Sequence, residues 1–137
     1  MRTFHIFNIN NSVAVLTRND TYPLFHSFLK IRNLSEDDLS LGINLYEQIA
    51  IPIDKQKMTR NIYNHYKESD FYTKYQNDHT YINKYRDEKS YLKVKNTYIK
   101  VDTNRQYPEF FKYLKKNHSL FVCDFDNKDY FWLKDIK

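Results

Sequence analysis

Histidine and cysteine are the residues of this chain best suited to bind a transition metal. The five histidines are His5, His26, His65, His79 and His118, and the one cysteine is Cys123. No two of these histidines stand at the spacing of a metal-binding pair, and a zinc site needs four nitrogen or sulfur ligands, or three and a water. We therefore expect histidines that belong to the surface or to the core, and no metal site.

Carboxylates and a thiol near the C-terminal end suggest two further kinds of chemistry. Three aspartates lie close together there: Asp124, Asp126 and Asp129. They could hold a divalent cation or act as an acid–base pair. Aspartate is also the residue that a turn without glycine uses, because it tolerates left-handed geometry, and we favour this second interpretation. Cys123 alternates with Phe121 and Phe125, which predicts a buried strand residue and not a nucleophile.

The glycine content excludes several large classes of enzyme. The chain has one glycine, Gly42. Phosphate-binding loops, dinucleotide fingerprints and nucleophile elbows each need two or more glycines, because their backbone takes positive φ or approaches the ligand closely. We therefore predict no nucleotide-dependent and no α/β-hydrolase chemistry. Because the sequence shows no credible catalytic constellation either, we expect a protein that is not an enzyme and that uses no cofactor and no small-molecule substrate.

Tyrosine and lysine are concentrated in one region. Eight of the thirteen tyrosines lie between Tyr63 and Tyr98, interleaved with basic residues. Residues 1–54 carry four Lys or Arg against six Asp or Glu, and residues 55–137 carry eighteen against eleven. Aromatic side chains beside cations suit single-stranded nucleic acid. The alternative is that the tyrosines cover a sheet while the lysines stay in solvent, in a chain generally rich in Lys, Asn, Ile and Tyr.

The length and the distribution of apolar residues indicate the class of protein. A chain of 137 residues is long enough for one domain with a sizeable core. No run approaches the length of a membrane-spanning helix, and the N-terminus lacks the apolar segment of a signal peptide. With a single cysteine, these features predict a cytoplasmic protein that does not interact with membranes.

Helix signals dominate the first half of the chain. Residues 4–9 predict a buried first strand. Thr21 is a predicted N-cap, with Pro23 in the first helical turn. Ser35 and Asp54 are the predicted N-caps of two further helices, and the first of these should end near Ala50.

Strand signals dominate the second half. Residues 68–88 give no clear pattern and could form a helix, an irregular strand or a long connection. Alternation predicts hairpins at residues 90–101 and 120–133, with a short helix at 109–116 between them. The sequence thus predicts an α+β fold. We expect a single domain over residues 1–137, in which the first strand and the two C-terminal hairpins form a mostly antiparallel sheet, packed with about four helices.

Two apolar segments follow the first strand, at residues 13–16 and 24–29. One of them suffices for the core, so the other is a candidate for contact with a partner. The alternative for Ser12–Leu16 is ordinary core packing.

Three stretches together resemble the SirA family, the sporulation inhibitors of replication. FHIFNIN with SVAVLTRNDTYPLFHSFL resembles the strand, helix and aromatic opening of that family, and LYEQIAIPID resembles its "IPI" segment. SLFVCDFDNKDYFWLK resembles the C-terminal end of the family. Six residues of this last stretch stand in matching places: Asp124, Phe125, Lys128, Tyr130, Trp132 and Leu133.

The resemblance implies a small cytoplasmic protein without catalysis. It would bind the N-terminal domain of the replication initiator DnaA through an apolar helical surface and so block initiation. By position, the binding helix would be Ser12–Thr17, and Val13 and Thr17 stand where the family tends to have large aromatic residues. The partner-binding residues carried over are Ser12, Val13, Leu16, Thr17 and Asp20. The alternative is a nucleic-acid-binding accessory protein that uses residues 63–98.

Overall fold

The computed structural model describes residues 1–136, whose strands form one seven-stranded antiparallel sheet. The strands are β1 (Arg2–Asn8), β2 (Tyr72–Tyr75), β3 (Asp78–Asn83), β4 (Glu88–Val94), β5 (Ile99–Thr103), β6 (Leu120–Asp124) and β7 (Asp129–Trp132). Their order across the sheet is β2-β3-β4-β5-β1-β6-β7. The predicted α+β fold with an antiparallel sheet is therefore confirmed.

Five helices pack on this sheet. They are α1 (Asn11–Thr17), α2 (Tyr22–Arg32), α3 (Leu39–Ile49), α4 (Lys55–Tyr66) and α5 (Glu109–Leu114). Two short 3₁₀ turns, Glu36–Asp38 and Leu133–Asp135, precede α3 and follow β7. Within residues 1–136, no helix combines the length and the apolar content that crossing a bilayer requires.

The first strand lies inside the sheet, between β5 and β6. Successive side chains of a strand point to opposite faces. Phe4 and Ile6 enter one core cluster, whereas Phe7 enters another, and all three are buried. The near-continuous apolar character of the first strand is explained by this burial on both faces.

The first face of the sheet is covered by α4 and α5. Phe110, Phe111 and Leu114 of α5 are buried there together with Ile62 of α4. The buried carboxylate of Glu88 accepts hydrogen bonds from the backbone N–H of Glu109 at 2.9 Å and from the Ser90 hydroxyl at 2.7 Å. A carboxylate from β4 thereby caps the first turn of α5 and holds this helix on the sheet.

The second face is covered by helices over only half of its width. Phe28 of α2 stacks on Phe7, with ring centroids 3.9 Å apart, and Trp132 and Cys123 lie in the same core cluster. On β3, β4 and β5, by contrast, every second side chain is exposed or half-buried. The sheet therefore has an open half formed by the solvent-facing side chains of these three strands.

The region left unassigned from the sequence contains β2 and β3. Both strands pair as an antiparallel hairpin, with Tyr72 opposite Tyr81 and Tyr75 opposite Asp78. The tight turns on either side of β3 place Gln76 and Asp87 at φ values of 54° and 50°. Non-glycine residues therefore take the left-handed positions that glycine usually occupies.

Candidate interaction surface on the first helix

Helix α1 begins where β1 leaves the sheet, and Asn10 starts it. The side-chain oxygen of Asn10 accepts a hydrogen bond from the backbone N–H of Val13 at 2.9 Å, which is the bond of an N-cap. Near the other end, the Thr17 hydroxyl donates to the carbonyl of Val13 at 2.7 Å. These two local bonds define a helix of two turns.

The start of α1 is also joined to the end of α3. The side-chain amide of Asn10 donates to the carbonyl of Gln48 at 2.9 Å, and the backbone N–H of Asn10 donates to the carbonyl of Ile49 at 3.0 Å. One step earlier, Ile9 and Ala50 form an isolated antiparallel bridge. The position of α1 therefore depends on two elements that are distant in sequence.

The solvent side of α1 is apolar at two adjacent positions. Leu16 is 82% exposed and Val15 is 74% exposed. Ala14, between Val13 and Val15, is buried and anchors the helix to the core cluster beneath. The apolar segment around α2 serves the core, since Leu24, Phe25 and Phe28 are buried. Of the two apolar segments that follow β1, α1 is therefore the one with exposed aliphatic side chains.

The five site residues predicted from the resemblance divide between two environments. Ser12, Leu16 and Asp20 are exposed, whereas Val13 and Thr17 are half-buried, and Val13 packs against the core cluster. The structure therefore brings Ser12 and Leu16 together, one helical turn apart on the solvent side. Val13 and Thr17 lie on the inner side of the helix.

Val15 was missed by the sequence analysis. Its exposed side chain lies next to that of Leu16 on the outer side of α1. Residues three and four positions after Ser12, which are Val15 and Leu16, lie on the same face of a helix as Ser12. This spacing is the signal from which the exposure of Val15 could have been predicted. We call the group Ser12, Val15 and Leu16 the α1 surface.

The tyrosines of the Tyr/Lys-rich region, residues 63–98, are divided between the core and the surface. Its tyrosines Tyr66, Tyr72 and Tyr81 are buried in the core, and the phenol of Tyr66 donates to the carbonyl of Glu109 at 2.9 Å. Burial raises the pKa of Tyr72 to about 12. Another four tyrosines are exposed: Tyr63, Tyr75, Tyr85 and Tyr91. Three of the eight tyrosines of this region are therefore part of the core.

Comparison with known families shows to which family the chain belongs. A family model described as "Sporulation inhibitor of replication protein SirA" matches residues 2–137. The chain belongs to the SirA family. The match extends from β1 to the C-terminal end, so membership does not rest on the three short stretches that resemble the family. None of the curated proteins matches the sequence.

In this SirA-family chain the aspartates near the C-terminal end stabilise a turn. The buried carboxylate of Asp124 accepts hydrogen bonds from the backbone and side chain of Asn127 at 3.1 and 2.8 Å, and from the Arg2 guanidinium at 3.0 Å. Burial alone would raise the pKa of Asp124, but these hydrogen bonds outweigh it and lower that pKa below its usual value. Asp129 pairs with Arg2 at 3.1 Å.

Cys123 lies opposite the half-buried His5 in the register of β1 and β6, whereas the buried His79 lies on β3. Cys123 is fully buried in β6, and burial raises the pKa of its thiol, which suppresses the thiolate. His79 is buried in β3, where its Nδ1 lies 2.7 Å from the Tyr72 hydroxyl. Burial and the nearby Lys74 lower the pKa of His79 to about 4. Among residues 1–136 there is no group of three or more His, Cys, Asp or Glu residues that could hold a metal ion.

Proposed function

We propose that this SirA-family protein binds the N-terminal domain of the replication initiator DnaA through the α1 surface and so restrains the initiation of replication. The family is named for a sporulation inhibitor of replication, which supports a role in that process. The observation that carries the choice of surface is the exposure of Val15 and Leu16, two aliphatic side chains at adjacent positions of a helix that the Asn10 amide ties to α3.

The chemistry of the α1 surface suits contact with an apolar protein groove. Burying an aliphatic side chain of this size stabilises a complex by about 1.5–3 kcal/mol. Ser12 lies one turn before Leu16 and adds a hydroxyl at the rim of the patch. The anchors are smaller than aromatic residues, so we expect dissociation constants in the micromolar range and not the nanomolar range.

The test is a binding titration of the purified protein with the isolated N-terminal domain of DnaA from its own host. We expect saturable binding at micromolar concentrations, weakened about 10-fold or more by Leu16→Gln because one anchor is lost. Leu39→Gln is the matched control, since Leu39 lies on α3 and is also largely exposed. It should leave the affinity unchanged.

Two results would overturn the proposal. One is the absence of binding at tens of micromolar with a correctly folded protein. The other is an equal loss of affinity in Leu16→Gln and Leu39→Gln, which would show a contact that is not centred on α1. Circular dichroism and thermal unfolding of each variant separate a lost contact from a lost fold.

A second candidate function uses the open half of the sheet. Lys93 lies directly opposite Lys100 in the register of β4 and β5, and the exposed Tyr91 and Lys89 lie on the same face. Asp78 and Asp102 pair with two of these lysines at 3.7 and 3.8 Å. Lysines around an exposed aromatic ring suit the phosphates and bases of single-stranded nucleic acid.

The salt dependence of binding distinguishes this second candidate. A labelled 12-nucleotide single strand should bind at 50 mM salt, with an affinity that falls linearly in a log–log plot with slope about −0.7 per phosphate contact. The double variant Lys93→Gln and Lys100→Gln should make that slope less steep by about 0.7–1.4, which is the contribution of one or two phosphate contacts. Absence of binding at 50 mM salt, or an affinity that does not change with salt, would remove this candidate.

A further inference from the structure

A groove of about 450 Å³ lies between α2, α3 and the second face of the sheet. Pockets that bind small molecules have volumes of roughly 300–1,000 Å³ and are lined mainly by apolar and aromatic side chains with a few polar groups. The floor of this groove consists of four aromatic residues: Phe7, Phe28, Tyr98 and Phe125. The walls include Ile31 of α2 and Ile43 of α3. The groove therefore has the size and the lining of a ligand site.

Tyr46 lines the groove and connects α3 to the sheet. Its phenol donates to the carbonyl of Thr97 at 2.9 Å and thereby joins α3 to the turn between β4 and β5. Burial raises the pKa of Tyr46 to about 12, so this donor keeps its proton at neutral pH. The groove wall formed by α3 is thus fixed to the sheet and does not depend on a ligand to form.

The one glycine of the chain, Gly42, lines this groove from the middle of α3. A glycine inside a helix destabilises it by roughly 0.5–1 kcal/mol relative to alanine. The backbone does not require glycine here, because its φ is not positive. Packing does not require it either, since an added Cβ would meet nothing nearer than Leu34 Cδ1 at 3.4 Å. At Gly42 the groove is therefore lined by backbone alone.

Arg32, at the C-terminal end of α2, supplies a positive charge at the groove. Its guanidinium carbon lies 5.0 Å from the centre of the Phe125 ring. It forms no ion pair with a carboxylate of residues 1–136. A guanidinium is a planar fork that can hold a carboxylate or a phosphate with two parallel hydrogen bonds. Arg32 is therefore a donor that the fold leaves uncommitted.

The other charged and titratable groups around the groove carry both signs, since Asp102 and Asp126 act on His5 as well as Arg32 and Lys100. His5 of β1 also lines the groove, and Lys100 of β5 lies directly opposite it in the sheet. Burial, followed by the charges of Arg32 and Lys100, lowers the pKa of His5 to about 4, so that His5 is neutral at pH 7. Glu47 is the only carboxylate among the lining residues. It opposes a second negative charge on a ligand.

We propose that this groove binds a small amphipathic anion, a planar apolar ring that carries one carboxylate group. The ring lies against the aromatic floor, where offset or edge-to-face contacts are favourable. The anionic group lies on the guanidinium of Arg32. This site is separate from the α1 surface, and it stands whether or not that surface binds DnaA.

The test uses 2-naphthoate, titrated into the full-length protein and followed by ¹H–¹⁵N NMR. We expect saturable shifts at the amides of Phe7, Phe28 and Tyr98, with a dissociation constant of about 1 mM or tighter for a probe of this size. The neutral isostere 2-naphthamide should bind about 10-fold more weakly, because it cannot form the charge-assisted pair with Arg32.

Four variants locate the site. Arg32→Gln should weaken 2-naphthoate about 10-fold and leave 2-naphthamide unchanged. Lys30→Gln is the matched control, since Lys30 is an exposed cation on the same helix that does not line the groove. Gly42→Leu should abolish binding of both probes by filling the groove. Leu16→Gln should change nothing, because it lies on the α1 surface.

Three outcomes would overturn the proposal. The first is the absence of saturable shifts at the groove with the folded wild-type protein. The second is equal affinity for 2-naphthoate and 2-naphthamide, which would exclude recognition of the anion. The third is unchanged 2-naphthoate affinity in Arg32→Gln and Gly42→Leu, with thermal unfolding showing that both variants are folded.

Discussion

The side chain of Asn10 donates a hydrogen bond to the carbonyl of Gln48 at 2.9 Å and so joins the start of α1 to the last turn of α3. The same side chain accepts a bond from the N–H of Val13. One amide therefore both starts the helix that carries the α1 surface and fixes its position on the molecule. A helix of two turns has little stability of its own, so such ties decide whether it forms.

Replacing Asn10 tests this double role. Asn10→Ala removes the cap and the tie to Gln48, and we expect it to lower the free energy of unfolding by about 1–2 kcal/mol. Asn10→Asp keeps the acceptor for Val13 but loses the donor to Gln48, so it should have an intermediate effect. Urea denaturation measures both changes. Equal stabilities of Asn10→Ala and Asn10→Asp would contradict a separate contribution from the cap.

Asp124 makes the stability of the protein depend on pH in the acidic range. Its pKa in the folded protein lies below the usual 3.8, so the folded state favours the charged form more than the unfolded state does. The resulting stabilisation is present above about pH 4 and is lost as the pH falls through the folded pKa. Asp124→Asn should lower the free energy of unfolding by about 1–3 kcal/mol at pH 7. The difference from wild type should shrink toward pH 3.

Asp126 provides the matched control for this prediction. It lies in the same turn, but its side chain is exposed. Asp126→Asn should therefore change the free energy of unfolding by no more than about 0.5 kcal/mol. If the two variants showed the same loss at pH 7, the bonds from Arg2 and Asn127 would not be the source of the stabilisation.

His79 also makes the stability depend on pH, in a range that lies above the range in which Asp124 acts. Burial and Lys74 lower its pKa from the usual 6.5 to about 4, so the unfolded state binds a proton first as the pH decreases. Stability is therefore lost as the pH falls from about 6.5 toward 4. Between pH 7 and pH 5 the free energy of unfolding of His79→Leu should therefore decrease by about 1–2 kcal/mol less than that of the wild type. Urea denaturation at the two pH values measures this loss.

The His79→Leu variant also leaves the buried Tyr72 hydroxyl without its partner. We expect this to lower its stability at both pH values, which does not affect the difference between them. The same substitution at the exposed His118 is the control. An unchanged pH dependence in His79→Leu would show that His79 does not keep a neutral form in the core.

The buried polar residues of the sheet explain why its first hairpin could not be predicted. On β3 the buried positions are His79, Tyr81 and Asn83, so the alternation of burial is not an alternation of hydrophobicity. The turn that closes the hairpin uses Gln76 at positive φ in place of glycine. Both signals on which strand prediction depends were therefore missing from this segment, although the hairpins with apolar inner faces were predicted.

The limits of prediction on α1 have a different physical cause. Periodicity predicts which face of a helix is buried only when several turns repeat it, and α1 has two. The rotation of α1 is determined by Asn10 and by the tie to α3, a contact between residues that are 38 positions apart. A contact of that range cannot be derived from local sequence. The segment was therefore named from the sequence as a candidate surface, whereas Val15 was not, and its contact with a partner stays a prediction.

Substitutions on the inner side of α1 should affect the stability of the protein, and substitutions on its solvent side should affect binding. Val13 is half-buried against the core cluster, so Val13→Gln places an amide in an apolar environment and should lower the free energy of unfolding by about 1–3 kcal/mol. Leu16 is 82% exposed, and Leu16→Gln should change that free energy by no more than about 0.5 kcal/mol. Urea denaturation of the two variants measures the difference. A large loss of stability in Leu16→Gln would place that side chain in the core, and the affinity lost by the variant could then no longer be assigned to a contact with a partner.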